Sequence, residues 1–143
     1  MIIMNKSSKP LKDTNYLVDF PEMADERGII TVIEQTSHFN WAIKRVFIIR
    51  DVSKYLTRGN HAHKSLQQII IAVAGSFSVN LFDGNAWNSY NLTSPTRGLL
   101  IPKMIWLELK DFSENAVVLV IADQEYEEED YIHDFGTYKD MVS

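Results

Sequence analysis

The stretch Arg58-Gly59-Asn60-His61-Ala62-His63 decides how the rest of the chain is read. Its histidines stand two apart, so in an extended strand both imidazoles point to the same face of a sheet. Around it, short runs rich in Val, Ile, Phe and Tyr recur between turn signals, at 29–34, 45–52, 68–73, 77–82, 89–92, 98–101, 105–109 and 117–122. Asp83-Gly84-Asn85 reads as a hairpin turn, and Ser94-Pro95-Thr96 and Pro102-Lys103 read as strand breakers. Helix signals are weak, the best stretch being 123–132. This pattern predicts an all-β fold, a jelly-roll barrel of short antiparallel strands with at most a short C-terminal helical segment.

A length of 143 residues suits one domain spanning 1–143, with the first dozen or so residues mobile or exchanged with a partner subunit. Apolar residues make up 45 % and charged residues 23 %, which excludes a wholly disordered chain. Cysteine is absent, which removes disulfides, thiolate metal sites and a thiol nucleophile and suits a cytoplasmic location. No stretch approaches the ~20 apolar residues of a membrane span, so no membrane partner is expected. The net charge is −5, and the acids gather in Asp123-Gln124-Glu125-Tyr126-Glu127-Glu128-Glu129-Asp130. That run argues against a nucleic-acid partner, and its part from Glu127 to Asp130 reads as a solvated face. A small anion remains possible, because inward-pointing arginines outweigh a distant acidic surface beyond a Debye length of about 8 Å.

Gly59, His61, His63, Gln68 and Gly75 reproduce the spacing of the first cupin motif, so the chain resembles a cupin in this region. In metal-binding cupins both histidines, an acid and a later histidine hold the ion. Here Gln68 stands at the acid's position, and Trp106, following Gly98 and Pro102, stands where the later histidine is expected. An amide is a poor ligand and an indole none, so no metal is expected. Two neighbouring imidazoles instead suit general acid–base work near neutral pH. Arg58, Arg45, Lys44 and Arg27 form a surplus of cations near the pair, a pattern suited to bidentate contact with phosphate. Trp106 is either a core aromatic or a flat wall for a sugar or base. Tyr131 could supply a phenol, and Lys110 is a further side chain whose entry into the site the sequence leaves open. His38 and His133 stand alone in polar surroundings and read as solvated.

A more specific likeness rests on several segments in order: Asp25-Glu26-Arg27-Gly28, Lys44-Arg45-Val46-Phe47, Arg58 to Lys64, Gln68, Gly75-Ser76, Asp83-Gly84, Gly98 with Pro102 and Trp106, Asp111-Phe112-Ser113, and Asp130-Tyr131-Ile132. Over residues 20 to 135 the chain resembles the sugar 3,4-ketoisomerases, WxcM-like cupins that act on TDP-4-keto-6-deoxyglucose on the way to 3-amino-3,6-dideoxy sugars. The resemblance implies a keto shift from C4 to C3 through an enediol, without cofactor or metal. It matches His61 to the proton acceptor and His63 to its partner in the pocket. By position it makes Arg27, Arg45 and Arg58 contacts to the TDP phosphates or sugar, with Gln68 and Trp106 lining the cavity. It further implies a homodimer with exchanged N-terminal strands, in which Arg27 serves the neighbouring site. Leu107, Ile48 and Arg50 depart from the family's usual residues. The C4 configuration of the product is open between galacto and gluco, with Arg27 favouring galacto. The alternatives carried beside this reading are a TDP-sugar epimerase, a metal-dependent cupin dioxygenase and a non-catalytic sugar-nucleotide-binding module.

Overall fold

The computed structural model describes residues 2–5 and 16–143. Thirteen strands appear in the order β1 (Ile2–Asn5), β2 (Leu17–Asp19), β3 (Glu22–Asp25), β4 (Gly28–Thr31), β5 (Arg45–Arg50), β6 (Arg58–His63), β7 (Gln68–Ala74), β8 (Phe77–Phe82), β9 (Trp87–Leu92), β10 (Arg97–Ile101), β11 (Trp106–Lys110), β12 (Val117–Ala122) and β13 (Tyr131–Ile132). Two helices, α1 (Gln35–His38) and α2 (Phe135–Val142), and a 3-10 turn at Glu128–Asp130 complete the described structure. The expected mobile or exchanged first dozen residues fall outside the described residues apart from β1.

Two five-stranded antiparallel sheets, ordered β2-β10-β7-β12-β5 and β13-β6-β11-β8-β9, face one another. Strand alternation fills the space between them. Ile70, Ala72, Leu99, Ile101, Val118 and Val120 from one sheet meet Val79, Leu81, Leu107 and Leu109 from the other in one buried cluster. The alternate residues of β7, Ile69 and Ile71, point outward and are covered by Val18, Phe20 and Phe39. On the opposite outer face Trp106, Ala62 and Ile132 pack against Tyr138 of α2. Both faces of β7 are thus buried along most of its length, which explains why it reads as a continuous apolar run. A third sheet, β1-β3-β4, shares no strand pairing with the other two and leaves Ile29 and Ile30 exposed.

The helix expected within 123–132 is absent: that stretch holds the short 3-10 turn and then β13. Helix formation begins later, where Asp134 caps the first turn by accepting from Thr137 N–H at 2.8 Å. The acidic run lacks an apolar face with helical period, whereas Phe135 and Tyr138 supply one three residues apart.

One irregularity shapes the site. The β6–β11 register runs Arg58↔Leu109 and Gly59↔Glu108, then His61↔Leu107, so Asn60 is an extra residue in β6. Gly59 and Asn60 both take positive φ, +84° and +59°. A Cβ on Gly59 would stand 3.0 Å from both the Leu107 carbonyl oxygen and its Cδ1, so glycine is needed on two counts. Gly59→Ala is expected to lower unfolding free energy by about 1–3 kcal/mol, read by denaturant titration, while Asn60→Gly leaves it within about 1 kcal/mol.

Candidate active site

Alternation on β6, β11, β5 and β7 directs a defined set of side chains into one cavity between the sheets. Arg45, Phe47 and Ile49 enter from β5, Gln68 and Ile70 from β7, and Leu107 and Leu109 from β11. His61 and His63 enter from β6, and Tyr131 from β13, whose backbone pairs directly with His63. Simple alternation would send Arg58 to the opposite face from His61. The extra residue at Asn60 reverses that parity, and Arg58 lines the cavity with both histidines.

The two imidazole centroids lie 4.9 Å apart, edge to face. His61 Nδ1–H donates to the carbonyl of Gly59 at 3.0 Å. His63 Nδ1–H donates to the Asp130 carboxylate at 2.9 Å. Since a carbonyl and a carboxylate only accept, both rings are held as the tautomer that leaves Nε2 bare. Tyr131 packs against both, at 4.9 Å from His61 and 4.5 Å from His63, and stacks in parallel on His133 at 5.3 Å. Arg45 lies over Phe47 at 4.3 Å and Tyr126 at 5.3 Å. Neither Arg45 nor Arg58 has a carboxylate partner among the described residues, so two uncompensated cations face the cavity of an acidic chain. Gln68 is buried and lines the cavity.

Burial is the main force on both histidines. It drives His61 from 6.5 down to about 4, with further opposition from His63. It also lowers His63, against the hydrogen bond and charge of Asp130. For Asp130 itself burial works upward, but the donors from Ser65 and His63 outweigh it and hold the carboxyl below its usual value. Both rings are therefore neutral near pH 7, ready to accept a proton.

Other expected site residues lie elsewhere. Trp106 alternates with Leu107 on β11 and so points away from the cavity, where its ring meets Phe135 at 5.0 Å and Tyr138 at 5.7 Å. It is a core aromatic. Lys110 shares that outer parity and does not line the cavity. Arg27 sits in the β3–β4 turn, 75 % exposed and ion-paired with Asp25 at 2.6 Å, outside the cavity of its own chain. His38 is buried, not solvated: it accepts from Glu34 N–H at 2.8 Å and packs on Phe20. His133 is exposed as expected, yet not alone, since it donates to Glu128 at 3.0 Å beside Tyr131. Asp130, assigned from sequence to a solvated acidic face, is instead buried against His63. Its sequence signals are its place at the head of the Asp130-Tyr131-Ile132 segment that carries the family resemblance and the Tyr131-Ile132 pair itself, which forms β13 on the edge of β6.

The depressed histidines have a consequence for stability. Between pH 6.5 and about 4 the unfolded chain takes up a proton at His61 that the folded chain refuses, so acidification across that window lowers stability. His61→Asn should flatten this part of the profile, measured as unfolding free energy against pH; an unchanged slope would count against the buried neutral ring.

Comparison with known proteins accords with this geometry. The family model described as FdtA, WxcM-like, C-terminal, matches residues 13–143. A curated TDP-4-oxo-6-deoxy-alpha-D-glucose-3,4-oxoisomerase from Aneurinibacillus thermoaerophilus is 36 % identical over 129 residues, covering 90 % of this chain and 93 % of that protein. The crystal structure of a 3,4-ketoisomerase from Helicobacter canadensis superposes with a TM-score of 0.85 at 36 % identity, covering 88 % of this chain and 95 % of that one. A variant of the 3,4-ketoisomerase from Thermoanaerobacterium thermosaccharolyticum, solved with TDP-4-keto-6-deoxyglucose, gives a TM-score of 0.85 at 37 % identity and covers 88 % and 91 %. The chain belongs to this WxcM-like family of sugar-nucleotide 3,4-ketoisomerases.

Proposed function

We propose that this chain moves the keto group of TDP-4-keto-6-deoxyglucose from C4 to C3, using His61 and His63 as its acid–base pair. The observation that carries the reading is the pair itself: two neutral imidazoles, each with a bare Nε2, side by side in a cavity that also holds two unpaired guanidinium groups.

The chemistry fits proton transfer alone. The C4 ketone acidifies the proton on C3, a base removes it, the electron pair forms the C3–C4 double bond, and the C4 oxygen takes up a proton to give an enediol. Returning a proton to C4 while the C3 hydroxyl loses its own leaves a ketone at C3 and a hydroxyl at C4. What C3 loses by oxidation C4 gains by reduction, so no external electron carrier takes part. Developing negative charge on the enediol oxygens is stabilised by donors fixed in place beforehand, a role within reach of the Gln68 amide and the Arg58 guanidinium. Arg45 and Arg58 suit the pyrophosphate. The apolar walls from Phe47, Ile70, Leu107 and Leu109 limit water access to the intermediate.

The homodimer belongs to the same proposal. Ile29 and Ile30 are exposed on β4, and Val46 and Ile48 on the outer face of β5, apolar surface suited to a second copy. Arg27 would meet substrate only across such a subunit boundary, and the galacto product depends on that contact. We place the enzyme in the cytoplasm, supplying 3-amino-3,6-dideoxy sugars for lipopolysaccharide or S-layer glycans. Among the described residues no helix is long and apolar enough to cross a membrane.

The test couples the protein to an aminotransferase that accepts only the 3-keto sugar and follows amino sugar formation from TDP-4-keto-6-deoxyglucose. His61→Asn and His63→Asn should each lower kcat by on the order of 10²- to 10⁴-fold while TDP still raises the melting temperature. Arg45→Ala and Arg58→Ala should raise KM. Full turnover in both histidine variants would overturn the proposal.

A further inference from the structure

Asp130 is a buried carboxylate with both oxygens occupied. Oδ1 accepts from Ser65 N–H at 2.8 Å and from Ser65 Oγ–H at 2.7 Å, and Oδ2 accepts from His63 Nδ1–H at 2.9 Å. The side chains of His63 and Asp130 are only 5 % and 7 % exposed, so water does little to screen their interaction. A carboxylate persists in such a place only when its donors are fully supplied, and here backbone, hydroxyl and imidazole supply them. The position is set by the fold: β13 pairs Tyr131 with His63, and Lys64 N–H donates to the Asp130 carbonyl at 2.8 Å, which seats the Asp130 side chain behind the His63 ring.

His61 has no such backing. Its Nδ1–H meets the Gly59 carbonyl, a neutral dipole, and Arg58 and His63 both oppose positive charge on it. The two imidazoles are alike in tautomer but unlike in what stands behind them. A carboxylate behind Nδ1–H stabilises the cationic ring by a full charge, whereas a carbonyl offers a partial one.

We propose that Asp130, anchored by Ser65, is a positioning residue for the isomerisation that acts through His63, fixing its tautomer and making it the ring of the pair on which a proton rests during turnover. This rests on the ketoisomerase reading above. A substrate proton passing to His63 Nε2 is taken by the ring's lone pair, Nδ1–H stays with the ring, and the new positive charge lies against the Asp130 carboxylate. The same Nε2 then returns the proton, so the enzyme ends as it began. The other charges that bear on His63 are Asp123, which favours the cation, and Arg45 and the neighbouring His61, which oppose it when charged.

The experiment is a double-mutant cycle with Asp130→Asn and His63→Asn, joined to 15N NMR of the histidine rings in the substrate-free protein. Asp130→Asn is expected to lower kcat on the order of 10²-fold, to change KM and TDP affinity by less than about threefold, and to cost nothing further in the His63→Asn background. The His63 ring should titrate at lower pH in Asp130→Asn than in the parent, with the His61 resonances little moved. If Asp130→Asn does not fold, Ser65→Ala serves instead: it keeps the carboxylate, removes one anchor, and should lower kcat by a smaller factor that again vanishes without His63. Losses that multiply, a change confined to KM, or an unmoved His63 titration would overturn the inference. If the parent protein converts no substrate, the ketoisomerase reading fails, while the 15N titration still decides whether Asp130 governs His63.

Discussion

The extra residue at Asn60 in β6 is the constraint on which the site depends. A strand without it would present His61 and His63 to the cavity and turn Arg58 to solvent, separating the acid–base pair from the cation beside it. The bulge needs a residue that accepts φ near +84° and tolerates the Leu107 carbonyl at 3.0 Å from where a Cβ would be, and Gly59 meets both demands. The same glycine lends its carbonyl to His61 Nδ1–H, so one position sets the parity of the strand and the tautomer of a catalytic candidate. Support from behind comes through Ala62, which faces outward onto Trp106, Ile132 and Tyr138. Tyr138 OH lies 2.8 Å from the Phe82 carbonyl and 2.9 Å from the Met104 carbonyl, its one proton shared between them, which ties α2 to the end of β8 and the loop before β11.

Electrostatics then divides the cavity. Burial keeps both imidazoles uncharged, while the guanidinium groups of Arg45 and Arg58 supply the positive charge of the cavity. An anionic substrate is thus attracted by the guanidinium groups and met by imidazoles that can accept a proton. The two jobs fall to different residue types in one small space. The acidic surface elsewhere does not cancel this, since its charges lie in water and are screened.

Much of this was legible in the residues. Strands β8 and β12 match the apolar runs at 77–82 and 117–122 to the residue, because alternation and turn chemistry agree there. The histidine pair converges as its two-residue spacing implied, and Arg45, Gln68 and Arg58 line the same cavity, Arg58 only through the extra residue at Asn60. What the sequence hid has a common cause, which is that strand parity and edge pairing are settled by tertiary contacts. Trp106 and Leu107 are adjacent, and only the β11 register decides that Leu107 faces the cavity and Trp106 the outer core. Asp130 closes a run of acids that looks solvated, yet β13 pairs with the edge of β6 and draws that one carboxylate inward. Arg27 matches a family segment, but its hairpin belongs to the separate β1-β3-β4 sheet. His38 stands among polar neighbours in sequence and beneath Phe20 in space.

The most direct test of the account follows wild-type protein and TDP-4-keto-6-deoxyglucose in deuterium oxide by NMR, without any coupling enzyme. The account predicts a new sugar nucleotide whose ketone is at C3 and whose C4 now bears hydrogen or deuterium, with C5 unlabelled. Deuterium entering C3 and C5 while the ketone stays at C4 would mark an epimerase and contradict it, as would a substrate spectrum that never changes.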